Sequence, residues 1–446
     1  MICTRIDCPF EGGAGCASAD GSACHTTNAS AFARASEVLV GGVNSPVRAF
    51  RSVGGIPYVV ARGEGAYVWD VEGRRYIDLV QSYGASIVGH AHPAVVEAIR
   101  TCAGQGTTFG APTYREIVMA EAMCERVPGL EMVRMTSSGT EATMSAIRLA
   151  RGLTGRHKVL KFAGCYHGAS DSLLAAGGSG VANQGLPGSD GVPPSAVADT
   201  IVAPYNVVPE ISADVAVVVV EPVAANMGLV APAPGFLAAL REACTKSGAL
   251  LLFDEVITGF RLGAGGASSW SGVTPDIWCF GKIIGGGLPV GAFGASQTIM
   301  SHLAPLGPVY QGGTLSGNPL AMAAGLAVLH MCTDDAYAEL EARTTNFVRA
   351  LGSAIAASGL PIQVPQIGTI TGLHLSPTPV NDYDDAKAAN TNGLYAPFFH
   401  EMLARGVAMA PGPYEALFPS FAHTDDDLDR VVEAAGASAA AVMATS

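Results

Sequence analysis

Phe280-Gly281-Lys282-Ile283-Ile284-Gly285-Gly286-Gly287-Leu288-Pro289, preceded by Leu252-Phe253-Asp254-Glu255-Val256, is the pair of stretches whose reading decides the fold. Each is an apolar run that stops on a charged residue, the pattern of a buried strand whose carboxyl end opens into a ligand crevice. A lysine at such an end, held by a glycine loop and desolvated, loses its proton readily and forms an imine with an aldehyde. A buried aspartate close by is the simplest way to keep a heterocyclic nitrogen protonated, so that the ring serves as an electron sink. Taken singly, both stretches are also what ordinary strand ends look like.

Other pieces give them company. Met132 to Thr136 reads as a short strand, and Ser137-Ser138-Gly139-Thr140-Glu141 opens a helix through Ile147, Leu149 and Ala150. Free backbone N–H groups, a small hydroxyl and a glycine make that helix start a phosphate cradle. Ser138 three residues before Glu141 is equally the pattern of a capping box. Tyr166-His167-Gly168 follows apolar Val159 to Phe162 and offers a ring for stacking, or a half-buried packing residue. Thr314, within Tyr310-Gln311-Gly312-Gly313-Thr314-Leu315-Ser316-Gly317-Asn318-Pro319, lies on a glycine-rich loop before an apolar helix, where helix capping is the plain alternative. An aldehyde, a phosphate and a pyridine ring together describe pyridoxal 5'-phosphate, the cofactor these residues suit.

On these motifs the chain resembles the fold-type I pyridoxal-phosphate enzymes of the class III aminotransferase group, from about Gly41 to about Glu433. The resemblance is carried by Gly41 to Phe50 (GGVNSPVRAF), Phe253 to Arg261 (FDEVITGFR), Gly281 to Gly291 (GKIIGGGLPVG) and Gly313 to Leu320 (GTLSGNPL). The first of these points to the aminomutase branch. The resemblance implies that Lys282 is the imine lysine and Asp254 the partner of the pyridine nitrogen. It gives the phosphate to Ser138, Gly139 and Thr140, ring stacking to Tyr166, and the ring's phenolic oxygen to Asn226. Thr314 would reach the cofactor of a neighbouring subunit, making a homodimer with shared active sites. Arg48 would clamp a substrate carboxylate, with Ser45 nearby, because a planar guanidinium meets a carboxylate with two hydrogen bonds. Ser179 belongs to a stretch, Gly178 to Pro193, that resembles a flap over the site, and Glu415 would face the substrate.

The implied activity is intramolecular amino transfer on a small amino aldehyde, glutamate-1-semialdehyde, giving the tetrapyrrole precursor 5-aminolevulinate. It would start from pyridoxamine 5'-phosphate and consume no outside amino donor. Three departures bear on the substrate: Tyr83-Gly84-Ala85 stands where the family usually reads Trp-Gly-Pro, Ala169 where a histidine is usual, and Ala225 where a glycine is common. They keep open a donor-dependent aminotransferase of the same scaffold, and, more remotely, a non-catalytic protein that binds the cofactor.

Composition agrees with an enzyme interior. The chain has 446 residues, 49% of them hydrophobic and 14% charged, which suits a large buried core in two units. A net charge of −13 disfavours nucleic acid and anionic membranes as partners. The longest apolar runs fall short of the roughly twenty residues that span a bilayer, so no membrane association is expected. Residues 1–30 lack a secretory apolar core, and Cys3, Cys8, Cys16 and Cys24 lack zinc-site spacing, so no metal is expected. A cytoplasmic, reduced protein follows.

The organisation expected is a loose tail over 1–30, a segment over 31–80 that packs with the small domain, a large cofactor domain over 81–334, and a smaller α+β domain over 335–446. Within 31–80, strands near 58–60 and 66–70 read as a hairpin with Glu72-Gly73 as turn signal. Strands over 133–136, 159–162, 215–221, 250–254, 277–281 and 291–295 alternate with helices, predicting an α/β fold with a mostly parallel central sheet. Ile362 and Leu373 to Leu375 mark possible strands of the small domain.

Overall fold

The computed structural model describes residues 26–175 and 189–445. Three short strands come first: β1 (Val60–Glu64), β2 (Tyr67–Asp70) and β3 (Arg75–Asp78). β1 pairs antiparallel with β2 across Gly65, which turns the chain at φ 55, and Glu72-Gly73 then turns β2 into β3. The hairpin expected from the sequence therefore has its turn elsewhere. Residues 58–59 precede β1, and the Glu72-Gly73 signal belongs to a third strand whose Tyr76, Ile77 and Asp78 are all buried and so show no alternation.

The central sheet is built from β4 (Met132–Thr136), β5 (Lys158–Phe162), β6 (Thr200–Ala203), β7 (Val215–Val220), β8 (Leu250–Asp254), β9 (Ile277–Gly281) and β10 (Gly291–Ala295). Its order is β4-β10-β9-β8-β7-β5-β6. The run from β9 to β6 is parallel, whereas β10 is antiparallel to both neighbours. Val217 and Val219 pack with Ala142, Ala146 and Leu149 of the helix Gly139–Thr154. Val218 and Val220 face the other way, against Leu237, Leu240 and Cys244 of the helix Phe236–Ser247. Burial on both faces is why these strands read as unbroken valine and leucine runs. The short edge strand β6, Thr-Ile-Val-Ala with its first three residues only partly buried, was not among the strands expected.

The C-terminal part is helical, with Asp334–Ala356, Tyr395–Ala404 and Asp425–Thr445 packed around Phe347, Leu351, Phe399 and Val431. β11 (Gln366–Ile367) and β12 (Ile370–Thr371) form a small ribbon. The strands expected near Ile362 and Leu373 to Leu375 reduce to a single bridge, Gln363 to His374. β13 (Val407–Ala408) pairs in parallel with β3, Val407 against Ile77, closing one sheet β1-β2-β3-β13 from both ends of the chain.

The helix Asn28–Val38 begins inside the stretch expected to be loose. Asn28 is buried because its amide donates to Asp70 Oδ2 at 2.8 Å while its oxygen accepts from Val59 N at 2.7 Å. The four N-terminal cysteines lie outside the described residues.

Candidate active site

β8 ends on Asp254 and β9 passes through Gly281 into Lys282; as parallel neighbours they open on the same side of the sheet. There they line a cavity of about 540 Å³. Asp254 is enclosed, with Oδ2 accepting from His167 Nδ1 at 2.8 Å and Oδ1 from Val256 N at 3.1 Å. Burial pushes the His167 pKa below its ordinary value although the Asp254 carboxylate pulls the other way, so the neutral ring donates through its Nδ1–H. Lys282 takes a left-handed φ of 49, a strained conformation for a side-chain-bearing residue, and its Nζ donates to the Tyr83 carbonyl at 2.6 Å. Desolvation lowers its pKa against the opposing pull of Glu415, Glu221 and Asp254, which favours the neutral, nucleophilic amine.

The helix Gly139–Thr154 points its N-terminus into the same cavity through Gly139 and Thr140. Ser138 is its N-cap: the hydroxyl accepts from Glu141 N at 3.2 Å. The reciprocal arm of a capping box is shifted by one residue, since the Glu141 carboxylate accepts from Ser137 N at 2.7 Å. Gly168, at φ 88, lets the turn after Tyr166 close onto this helix start, because a Cβ there would sit 2.6 Å from Thr140 Oγ1.

Tyr166 and Asn226 line the cavity from the loops after β5 and β7, and both are bound to Glu221. That carboxyl is 3% exposed; burial first, then the Asp254 charge, raises its pKa to about 8. His167 and Glu221 were not singled out in the sequence as site residues. The available signal was positional: Glu221 ends a valine run as Asp254 ends a leucine run, and His167 adjoins the stacking candidate.

The facing wall comes from turns. Ser45 precedes the short 3-10 helix Pro46–Ala49, and Gln81, Ser82 and Tyr83 take successive left-handed φ values of 44, 53 and 57. Ser45, Tyr83 and Glu415 line the cavity with Lys282 and Asp254. Arg48 does not: it lines an adjoining cavity of about 590 Å³ that shares Ser82 and Tyr83 as a wall. Thr314 lines a third, of about 350 Å³, with residues of the 108–113 loop. Of the expected site residues the structure thus gathers Lys282, Asp254, Gly139, Thr140, Tyr166, Asn226, Ser45 and Glu415, sets Ser138 behind as a cap, and keeps Arg48 and Thr314 apart. Ser179 lies outside the described residues.

The set fits one kind of group. A helix N-terminus suits a phosphate, a desolvated amine an aldehyde, a phenol wall a flat ring, and a carboxylate held by a donating imidazole a protonated ring nitrogen. Among the described residues no cluster of His, Cys, Asp or Glu is arranged to hold a metal ion, and no helix is long and apolar enough to cross a membrane.

Comparison with known proteins gives the same chemistry. Residues 50–436 match the model of the family described as aminotransferase class-III. The chain is 54% identical over 410 residues to the glutamate-1-semialdehyde 2,1-aminomutase of Syntrophobacter fumaroxidans, covering 90% of this chain and 94% of that protein. It is 53% identical to that of Syntrophus aciditrophicus, over 90% and 95%. Among solved structures, an omega-transaminase from Sphaerobacter thermophilus superposes with a TM-score of 0.86 at 34% identity, over 94% of this chain and 98% of that one. A glutamate-1-semialdehyde aminomutase from Pseudomonas aeruginosa, in complex with PMP, gives 0.82 at 28%, over 92% and 93%.

Proposed function

Since the chain belongs to the class III aminotransferase family, we propose that it is an isomerase converting glutamate-1-semialdehyde to 5-aminolevulinate by intramolecular amino transfer, with pyridoxal 5'-phosphate and its pyridoxamine form as cofactor. The observation that carries this reading is 54% identity to an aminomutase over 410 residues. Fold alone does not separate the two activities.

When bound, the cofactor supplies the electron sink through which an amino group leaves one carbon and returns to its neighbour. Asp254, steadied by the His167 N–H, would hold the proton on the ring nitrogen. Gly139 and Thr140, at the helix start capped by Ser138, would receive the phosphate. Tyr166 would cover the ring face and Asn226 would meet its phenolic oxygen. Lys282, whose pKa burial lowers, would carry the proton between carbon atoms from one fixed position. Ser45 and Glu415 face the substrate. Arg48, which lines the adjoining cavity, would reach the substrate carboxylate only if the Ser82–Tyr83 wall between the two cavities opens.

A homodimer completes the site in this reading. Phe109, Tyr114, Tyr310 and Leu315 are 54%, 77%, 74% and 52% exposed around the Thr314 loop, a concentration of apolar surface typical of a face covered by a partner. A cytoplasmic location is part of the proposal, supported by the six unpaired cysteines among the described residues. The test is to give purified enzyme glutamate-1-semialdehyde with no amino donor. Formation of 5-aminolevulinate is expected; product only when glutamate or alanine is supplied would make it a donor-dependent aminotransferase.

A further inference from the structure

Among the described residues, Glu221 is a carboxyl without an ion pair. It follows β7, every residue of which is buried, and is itself 3% exposed. Of the two buried amines that its charge reaches, Lys282 gives its Nζ to the Tyr83 carbonyl at 2.6 Å, and Lys161 gives its own to the carbonyls of Leu173 and Ala175 at 2.9 and 3.1 Å. What Glu221 has instead is three N–H donors. Oε1 accepts from Tyr166 N at 2.7 Å and from Asn226 Nδ2 at 3.0 Å, and Oε2 accepts from Ala225 N at 3.0 Å. One oxygen therefore joins a backbone group of the loop after β5 to a side chain of the loop after β7, and those loops carry the phenol and the amide that face the cavity.

Resting on the reading above, we infer that Glu221 is a positioning residue for the cofactor: through its single Oε1 it fixes the Tyr166 ring and the Asn226 amide relative to one another, and so sets the tilt of the ring held between them. Two loops joined by one acceptor cannot shift independently, whereas each alone would have the freedom usual for a connecting segment. Burial raises the group's pKa to about 8 while the three N–H donors pull it down, and Oε1 can accept from both loops whether or not the carboxyl holds a proton. A carboxyl that only satisfied buried N–H groups would contribute to stability and leave the ring's geometry alone.

The two roles separate in the visible circular dichroism of the bound cofactor, a signal set by ring tilt and insensitive to global stability. Apo wild type, Glu221→Gln and Glu221→Ala are titrated with pyridoxal 5'-phosphate, and the band is recorded at saturation. Glu221→Ala should raise the dissociation constant about tenfold, the scale of lost hydrogen bonds at a buried acceptor, and reshape the band. Glu221→Gln keeps an Oε1 acceptor but turns an N–H toward a donor, so it should lie between wild type and Ala in both readouts. In a cycle with Asn226→Ala the two losses should be clearly less than additive, because both break the same contact. An unchanged band with Glu221→Ala, or strict additivity, overturns the inference. Should Glu221→Ala not fold, Glu221→Gln decides: a reshaped band with about threefold weaker binding supports the inference, and wild-type values overturn it. Wild-type protein that takes up no cofactor overturns both this inference and the reading beneath it; normal uptake with unaltered variants overturns the inference alone.

Discussion

The floor of the cavity and the wall facing it are made by different kinds of structure. The floor is the carboxyl edge of a parallel sheet: Asp254 ends β8, Glu221 and Lys282 follow β7 and β9, and each is fixed by short hydrogen bonds in a dry interior. The wall is made of turns: the 3-10 helix after Ser45, the left-handed run Gln81 to Tyr83 and the loop carrying Glu415. Strand ends cannot move without moving the sheet, so they hold groups whose separation the chemistry fixes. Turns tolerate substitution, and Tyr83, a departure from the family's usual Trp, lies on the wall. The division assigns the reaction to the floor and the choice of substrate to the wall.

The strongest way to break this comparison is at the floor. Lys282→Ala should lower kcat by about three to four orders of magnitude, the scale of a lost general acid–base group, while the protein still takes up cofactor through its phosphate and ring contacts. Turnover alongside cofactor absorbance checks both halves, and a variant that retains most of its kcat would remove Lys282 from the chemistry. At the wall, Arg48→Ala should cost about 2–3 kcal/mol in kcat/KM, roughly a hundredfold, with the cofactor spectrum unchanged. A spectrum that changed with Arg48 would mean that the two cavities act as one. Thr314→Ala belongs to neither region of its own subunit and should weaken cofactor binding about tenfold, with a matching dependence on protein concentration as dimers dissociate. Equal affinity in monomer and dimer would rule out a shared site.

The smallest effect expected is on the stability of the apoprotein. Burial raises Glu221 to about 8 and Glu255 to about 7, both above their ordinary value of 4.5. The folded state therefore holds protons that the unfolded chain has released, so stability is greatest below pH 4.5 for these groups and falls as pH rises through 7 and 8. Thermal unfolding should show Tm falling by a few degrees between about pH 5.5 and pH 8, and a rising Tm would show that these acids are ionised in the fold.

The floor was legible in the sequence and the wall only partly so, for the same physical reason. Strands buried on both faces must be written as apolar runs, so Asp254 and Lys282 stand out as interruptions. The glycine and hydroxyls at 138–140 mark a helix start in any context. Glu221 and His167 were visible but unread, because a carboxylate after valines and a histidine after a tyrosine acquire meaning only when β5, β7 and β8 become neighbours. On the wall, Ser45 and Glu415 came from resemblance alone. Nothing local to Arg48 tells that it looks into a second cavity, since that depends on three successive left-handed residues a long way along the chain. Thr314 faces away from the floor of its own chain, and no single chain's sequence can show what stands opposite.

The parallel pairing of β13 with β3 has a consequence for how the protein is made. Ile77 is synthesised early, and its partner Val407 follows more than three hundred residues later. During translation the sheet of β1 to β3 must wait with an open edge while the central sheet emerges and folds between the two halves of its own frame. A contact of that sequence separation is slow to form, and an unpaired strand edge recruits other chains. The sheet that holds β1 to β3 is thus completed only when β13 has been made. A chain truncated before residue 407 would keep the strands of the cofactor floor and lack both β13 and the Glu415 of the substrate wall.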